Sequence, residues 1–327
     1  MNTSLYPFLF EPIFKEKIWG GRRFATFLGK DIGEMDHCGE SWEISGLLGD
    51  ESVIANGFLA ENNLNELMEI YLTEIVGEKN YEKYGLGFPL LIKFIDAQDD
   101  LSVQVHPDDE LAQKEYGQNG KTEMWYVVDA EEGAGLYVGF KETVTPQQYM
   151  KAVAEDTLPQ LMRFYPVKPG DTFMIPAGTV HAIGKGVLLA EIQQPSDVTF
   201  RIYDWNRVDD QGMPRELHTE EALKAIHFKE NTADFQVHYT PKLNKTVELV
   251  KSPYFHTNVL VCDQPIQKRY GELDSFIIYM CLDGDLDLVY GGGRTRLKTG
   301  DVTLVPAAID MLTLEPARTS TLLEIHC

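Results

Sequence analysis

The chain has 327 residues, and its 51 acidic residues outnumber its 29 lysines and arginines to give a formal net charge of −22. A hydrophobic fraction of 43% is that of an ordinary folded protein, and the length is enough for two domains. The negative charge argues against nucleic acid and anionic membranes as partners, because both are bound by basic surfaces.

Cysteine usage and the N-terminus indicate the compartment. The four cysteines are scattered without a paired spacing, and we expect reduced thiols at Cys38, Cys262, Cys281 and Cys327. The N-terminus lacks a basic start, and Pro7 and Glu11 interrupt its apolar residues, which argues against a signal peptide. No apolar run is long enough to span a bilayer. We therefore expect a soluble, cytoplasmic protein that is a monomer or a small homo-oligomer.

The first elements in chain order are a segment at 5–21 that packs against the core, a strand at 39–45 and a helix. One stripe of that helix is apolar and contains Leu64, Leu67, Met68, Tyr71, Leu72 and Ile75. Asn63 can cap its start, and Gly77 can end it. A near-continuous apolar strand follows and contains Lys93, which either reaches solvent or faces a pocket.

The next strands carry candidate metal ligands. Ser102, Gln104 and His106 alternate with apolar residues and therefore share one face of a predicted strand. A further strand at 122–128 contributes Glu123. Residues 170–181 predict a turn, a short buried strand and a second turn that brings His181 to a fixed place.

Two imidazoles, one carboxylate and an amide oxygen suit Zn²⁺ with an open position for a substrate. His106, Glu123 and His181 are the predicted ligands, with Gln104 as a possible fourth. The other six histidines are assigned ordinary core or surface roles.

Further helices are predicted to begin at the Thr145–Pro146 pair and near Thr219. Between them, a strand at 186–193 leads to a second strand that ends at Arg201. Glu191 lies on one face of the first of these strands, so its carboxylate and the Arg201 guanidinium can point into the cavity that contains the metal.

A resemblance to a known family appears at these residues. Gly170, Pro176, Gly178 and His181 resemble the second metal motif of the cupins. Longer stretches are similar to type I mannose-6-phosphate isomerases, namely residues 19–21, 89–97, 101–108, 121–123 and 190–205. The similarity covers most of the first two thirds of the chain.

The resemblance implies interconversion of mannose 6-phosphate and fructose 6-phosphate through an enediol-like intermediate, with one Zn²⁺ ion per chain and no redox cofactor. By motif, His106, Glu123 and His181 resemble the zinc ligands, and Gln104 matches the amide ligand of longer family members. Arg201 resembles the catalytic arginine. This chain is short and has a threonine between Lys121 and Glu123 where longer members have proline, so it resembles the compact bacterial members.

Acid–base and substrate-binding roles remain open at this point. Glu191, Asp197 and Lys121 are the acid–base candidates, and Asp197 is alternatively a structural partner that orients Arg201. We expect like charge from the metal and Arg201 to disfavour the Lys121 ammonium and make it a usable base. Ser102 and Lys93 are candidate substrate-binding residues. An acidic protein needs a cationic pocket for a sugar phosphate, and the candidates are Lys93, Lys121, Arg163 and Arg201.

The last third is rich in short strands after a polar stretch at 231–241. Residues 168–177 align without gaps on residues 298–307, with Met311 at the position of His181. We therefore predict a mainly β fold of two cupin (jelly-roll) β-barrels with added helices. The catalytic metal-binding domain would cover residues 1–235, and a degenerate domain without metal ligands would cover residues 236–327.

Two other classes of function are compatible with such a site. A cupin with two histidines and a carboxylate can hold Fe(II) and act as a dioxygenase. The charged set of Lys121, Glu191 and Arg201 argues against that reading. A non-catalytic sugar-phosphate-binding protein is the other alternative, and it predicts binding without turnover.

Overall fold

The computed structural model describes residues 5–208 and 211–327, and within them the chain is mainly β. The strands of the first part are β1 Phe8–Leu9, β2 Ile13–Gly21, β3 Cys38–Ile44, β4 Leu91–Ala97, β5 Val103–Val105, β6 Glu123–Ala130, β7 Gly135–Phe140, β8 Met162–Pro166, β9 Thr172–Ile175, β10 His181–Ile183, β11 Val187–Gln193 and β12 Phe200–Tyr203. Those of the second part are β13 Gln236–Val237, β14 Lys245–Lys251, β15 His256–Cys262, β16 Ile266–Arg269, β17 Ile277–Asp283, β18 Asp285–Tyr290, β19 Gly293–Lys298, β20 Val302–Val305, β21 Met311–Pro316 and β22 Ser320–His326.

Helices are short and confined to the first part. The α-helices are α1 Arg23–Thr26, α2 Leu64–Tyr71, α3 Thr73–Val76, α4 Glu78–Tyr84, α5 Asp109–Tyr116, α6 Pro146–Ala154, α7 Leu158–Leu161 and α8 Thr219–Ala225, with 3-10 turns at Gly57–Leu59 and Glu230–Thr232. Among the described residues, none of these helices has the length and apolar character needed to cross a membrane. All four cysteines are free, as expected.

The predicted helix caps are confirmed. Asn63 accepts a hydrogen bond from the Glu66 backbone N–H at 2.9 Å, and the Glu66 carboxylate accepts one from the Asn63 N–H at 2.8 Å. The long helix predicted here is interrupted, because Leu72 adopts a φ of 45° between α2 and α3. Gly77, with a φ of 88°, ends α3. Thr145 caps α6 with Pro146 in the first turn.

Four antiparallel sheets form the molecule. A seven-stranded sheet has the order β13-β9-β6-β11-β4-β2-β3, and a five-stranded sheet has the order β12-β5-β10-β7-β8. The second part forms a six-stranded sheet of order β1-β20-β17-β22-β15-β14 and a four-stranded sheet of order β16-β21-β18-β19. Both large sheets therefore contain four neighbouring strands with the same topology. They are β9-β6-β11-β4 in the seven-stranded sheet and β20-β17-β22-β15 in the six-stranded sheet. The two-barrel interpretation remains a prediction, and this shared order is what supports it.

The internal repeat has the same local structure in both copies. Gly170 and Gly300 both adopt positive φ, at 94° and 88°. The aspartate that follows each glycine accepts a hydrogen bond from the backbone N–H three residues before it, at 2.9 Å and 2.7 Å. Each turn thus leads into an equivalent strand, β9 or β20.

The position aligned with His181 lies at the same place in the second part. Five residues separate β9 from β10, and five separate β20 from β21, so His181 and Met311 each begin a strand. His181 is 1% exposed, whereas Met311 is 48% exposed and its neighbour Leu312 is 1% exposed. The side chain at this position is therefore exposed in the second copy.

The predicted division at residue 236 remains a prediction, and two short strands cross it. Phe8 and Leu9 of β1 join the six-stranded sheet through β20, and β13 joins the seven-stranded sheet through β9. One hydrophobic cluster contains side chains from both large sheets, including Phe94 and Ile278. The two parts consequently share a core.

Candidate functional site

The candidate metal centre lies between the seven-stranded and five-stranded sheets. His106 follows β5, Glu123 begins β6 and His181 begins β10. Their ligand atoms all lie within 4.8 Å of one another, and all three side chains are buried. Among the described residues this is the cluster of histidine, cysteine and carboxylate side chains that can hold a metal ion. The structure therefore brings together the three residues predicted as ligands.

Both imidazoles present a lone pair to the common centre. The His106 Nδ1 lies 3.1 Å from the Val198 carbonyl oxygen, and the His181 Nδ1 lies 2.9 Å from that of Thr179. Each Nδ1 therefore carries the proton and donates, which leaves Nε2 as the acceptor atom. Burial and the Lys121 charge hold the pKa of His106 well below its usual value and lower that of His181 to about 3. Neutral imidazoles are the form that binds metals.

Glu123 is fully buried, and among the described residues neither of its carboxylate oxygens has a hydrogen-bond donor. The Lys121 Nζ lies 2.8 Å from Oε2, at an ion-pair distance but outside hydrogen-bond geometry. The Nε2 atoms of His106 and His181 each lie 3.4 Å from one Glu123 oxygen. A buried carboxylate without donors is costly unless a cation compensates it. The two imidazole Nε2 atoms and the Glu123 carboxylate oxygens therefore fit a divalent cation as ligands.

The five-stranded sheet aligns three of the predicted side chains. Arg201 of β12 pairs with Gln104 of β5, which in turn pairs with His181 of β10. The Gln104 Nε2 lies 3.3 Å from the His181 Nε2. Oxygen and nitrogen of an amide are interchangeable by rotation, so the same side chain can offer its oxygen at this point. Gln104 remains a candidate fourth ligand.

A cavity of about 300 Å³ opens beside the metal centre. It is lined by Lys17, Trp19, Glu40, Lys93, Ile95, Leu101, Ser102, Gln104, Lys121, Ile183, Glu191, Asp197, Thr199, Arg201 and Arg215. All four residues predicted as catalytic and both predicted as substrate-binding are among them. A charged cavity of this size suits a small polar molecule.

Lys93 faces the cavity rather than solvent. It is 4% exposed, and its Nζ lies 3.4 Å from Glu191 Oε1 and 3.6 Å from Glu40 Oε2. The Trp125 indole N–H donates to Glu191 Oε2 at 3.0 Å. Burial and the neighbouring Glu123 carboxylate raise the pKa of Glu191. For Glu40, Lys93 and Lys17 outweigh burial and lower the pKa to about 2.

Arg201 is the cation in the cavity that lacks a carboxylate partner within ion-pair distance, judged over residues 5–208 and 211–327. Its Nη1 donates to the Glu216 carbonyl oxygen at 2.9 Å, while its buried Nε has no partner. Burial and the nearby Arg215 lower the pKa of Arg201. Arg215 is itself paired with Asp204. An anion placed beside Arg201 would offset the repulsion between the Arg201 and Arg215 guanidinium groups.

One expectation from the sequence is wrong, and a second stays a prediction. Arg163 does not line the cavity, and its guanidinium donates to the carbonyl oxygens of Thr232 and Ala233 at 3.3 Å and 3.1 Å. The expected loss of charge at Lys121 depends on a bound metal ion. From the side chains alone, burial would lower the pKa of Lys121, but the carboxylates of Glu123 and Glu191 outweigh burial and raise it.

Asp197 lines the cavity, but neither a hydrogen bond nor an ion pair joins it to Arg201 among the described side chains. Its proposed role in orienting Arg201 is therefore not supported by a contact. Sequence reasoning missed Lys17, Glu40 and Arg215. The Lys17 Nζ of β2 lies 3.2 Å from Glu40 Oε1 of the neighbouring strand β3. Alternation within those strands indicated only that some of their polar residues share a face.

The second part differs from the first at the positions aligned with two of the candidate ligands. Met311 begins β21 as His181 begins β10, and Ile277 pairs with Val305 as Glu123 pairs with Ile175. Neither Met311 nor Ile277 offers an imidazole or a carboxylate. The absence of a metal site from the second half stays a prediction.

Fold and site together define a mainly β protein with a buried centre of two histidines and one carboxylate, beside a charged cavity for a small polar molecule. This is the arrangement of a metal-assisted enzyme.

Comparison with known proteins gives the family. Residues 8–137 match the family model described as phosphomannose isomerase type I, catalytic domain. The mannose-6-phosphate isomerase ManA of Bacillus subtilis is 35% identical over 311 residues, which cover 94% of this chain and 96% of that protein. The mannose-6-phosphate isomerase of Streptococcus mutans is 35% identical over 304 residues, covering 91% and 93%. The chain belongs to the type I phosphomannose isomerase family.

Solved structures agree with this assignment. The crystal structure of the Bacillus subtilis mannose 6-phosphate isomerase superposes with a TM-score of 0.85 at 32% identity, covering 99% of this chain and 100% of that one. A variant of the phosphomannose isomerase from Salmonella typhimurium superposes with a TM-score of 0.80 at 15% identity, covering 98% and 99%. The second similarity concerns the fold alone.

Proposed function

We propose that this chain is a mannose-6-phosphate isomerase that interconverts mannose 6-phosphate and fructose 6-phosphate with one Zn²⁺ ion. The observation that carries the proposal is the buried cluster of His106, Glu123 and His181 at the edge of a charged cavity of about 300 Å³. The relatives that bear this name are about a third identical over nearly the whole chain. Four free thiols are consistent with a cytoplasmic location.

His106, Glu123 and His181 would hold the zinc ion, with Gln104 as the candidate fourth ligand. When bound, Zn²⁺ polarises carbonyl and hydroxyl oxygens without changing its oxidation state. Lys121 would remain beside this centre as a hydrogen-bond donor to the sugar oxygens, because its charge is favoured by the surrounding carboxylates.

Glu191 is our proposed proton carrier between C1 and C2 of the sugar. Its pKa is raised, and it faces the cavity, so it can exchange a proton nearer to neutral pH than an exposed glutamate. The Trp125 N–H and the Lys93 ammonium hold its carboxylate in place. Asp197, on the same cavity wall, is the second acid–base candidate.

Arg201 and Arg215 would take the negative charge of the substrate. The other cations of the cavity face carboxylates, since Lys93 lies near Glu191 and Lys121 near Glu123. An anionic group is therefore favoured at the arginine end, and the sugar hydroxyls at the carboxylate end, where Ser102 is a further candidate contact.

A coupled assay on the purified protein tests the proposal. Mannose 6-phosphate would be converted to fructose 6-phosphate, activity would be lost on chelation, and Zn²⁺ would restore it. Zinc binding without turnover would instead support a sugar-phosphate-binding protein. Substrate-dependent oxygen uptake by the iron-loaded protein would support the dioxygenase and contradict the isomerase.

A further inference from the structure

Gln193 is a fully buried amide at the end of β11, and it pairs across the sheet with Glu123. Its Nε2 donates to the carbonyl oxygens of Gln194 at 2.8 Å and Ser196 at 2.9 Å. Carbonyl oxygens only accept hydrogen bonds, so these contacts fix the orientation of the amide. Within residues 5–208 and 211–327 its Oε1 is buried without a hydrogen-bond partner, so the two donated bonds are the hydrogen bonds that hold the side chain.

These two bonds close the turn at residues 194–198. Within the turn, the Ser196 N–H donates to the Gln194 carbonyl oxygen at 2.8 Å, and the Val198 N–H donates to Ser196 Oγ at 3.3 Å. The turn places Asp197 on the cavity wall. It also places the Val198 carbonyl oxygen 3.1 Å from His106 Nδ1, where it receives the ring proton.

We infer that Gln193 is a positioning residue for the metal centre. Its amide holds the turn, and the turn fixes both the tautomer and the ring orientation of His106. Gln193 is not among the residues that line the cavity, and within the described residues its side chain donates to the backbone of Gln194 and Ser196 alone, so its effect would pass through the backbone of residues 194–198. Groups that orient a metal-ligating histidine typically contribute about 10- to 100-fold to metal affinity. The inference rests on the metal site of the proposed function.

Gln193→Met tests this role, because methionine matches the length of glutamine and donates no hydrogen bond. We expect zinc affinity, measured by competition with a chelator, to fall about 10- to 100-fold. The absorption spectrum of the cobalt-loaded protein should also change, since it reports ligand geometry. In the isomerase assay, kcat should fall more than KM rises.

Asn80→Leu is the matched control. Asn80 is also a buried amide, and its Nδ2 donates to the Val76 carbonyl oxygen at 2.8 Å and to Ser275 Oγ at 3.1 Å, away from the cavity. This variant should lose stability yet keep wild-type zinc affinity and cobalt spectrum. If both variants weaken zinc binding equally, or if Gln193→Met leaves affinity and spectrum unchanged, Gln193 is only a structural residue and the inference is wrong.

A second variant covers the case in which Gln193→Met does not fold. Ser196→Ala removes one hydrogen bond from the same turn, and we expect about a three-fold loss of zinc affinity. Unchanged affinity in that variant would overturn the inference. A wild-type protein that binds no metal would contradict the proposed function as well, whereas wild-type binding with unaffected variants would contradict this inference alone.

Discussion

Replacing Lys93 by methionine should destabilise the protein strongly, because the lysine is the shared cation of the buried Glu191 carboxylate and the partly buried Glu40 carboxylate. Its Nζ lies 3.4 Å from Glu191 Oε1 and 3.6 Å from Glu40 Oε2, and the lysine is 4% exposed. Methionine keeps the length and the apolar stem of the side chain. The substitution therefore removes the charge with little change of volume.

The expected cost follows from these distances. At an effective dielectric constant of about 20, each ion pair has a gross Coulomb energy of roughly 5 kcal/mol. Much of that energy offsets desolvation of the ions, and breaking a buried pair costs about 3–5 kcal/mol in practice. For a chain of this size, such a loss corresponds to a fall in Tm of roughly 4–7 °C.

Lys15→Met provides a matched control, because both lysines contact the same indole ring. The Nζ atoms of Lys15 and Lys93 each lie 4.7 Å from the centroid of Trp42. The carboxylate partner of Lys15 is Asp50, and the two side chains of that pair are 27% and 34% exposed. A solvated pair of this kind contributes at most about 1 kcal/mol.

Thermal and denaturant unfolding of the two variants measure the difference directly. If Lys93→Met is destabilised no more than Lys15→Met, the carboxylates around Lys93 do not depend on it for compensation. The assignment of Lys93 as their counter-ion would then be wrong, and its place in the cavity would point to substrate binding alone.

Three further predictions concern the metal centre and the cavity. His181→Ala should abolish both bound zinc and isomerase activity, measured by elemental analysis and the coupled assay. The control variant His227→Ala should retain both. Stoichiometric zinc in His181→Ala would contradict the ligand assignment. Arg201→Ala should retain zinc and lower kcat about 10²- to 10³-fold, and near-wild-type turnover would make Arg201 a structural residue. The pKa of Glu40 is lowered to about 2, so its contribution to stability should be complete above its ordinary pKa of 4.5 and be lost as pH falls toward 2. In Glu40→Gln, the free energy of unfolding should therefore depend less on pH over that range. If its pH dependence between 4.5 and 2 is the same as in the wild type, Glu40 makes no such contribution.

The cluster of His106, Glu123 and His181 could be predicted because local structure fixes both histidines. His106 belongs to an alternating strand, and His181 follows a turn whose glycines and proline are visible in the sequence. The capping pair of Asn63 and Glu66 is likewise a local signal, separated by three residues. Residue types and their spacing were therefore sufficient to predict the features that depend on residues close together in the sequence.

The cavity wall could be predicted only in part, because strand pairing brings together residues that are far apart in the chain. Lys93 faces Glu191 because β4 pairs with β11, and Glu40 joins them because β3 pairs with β4. Arg215 comes from the segment before α8, where no periodic pattern indicates a direction. The carboxylates that raise the pKa of Lys121 likewise come from two different strands, β6 and β11.

The second half shows how little separates a site from its degenerate copy. Its turn repeats the glycine, the aspartate and the proline of the first, and Met311 begins β21 as His181 begins β10, yet Met311 is exposed where His181 is buried. Neighbouring side chains along a strand point to opposite faces, and the buried residue at the start of β21 is Leu312. A repeat in sequence therefore predicts the path of the backbone, whereas a metal centre also depends on which residue types face the interior, and the second copy has a leucine there.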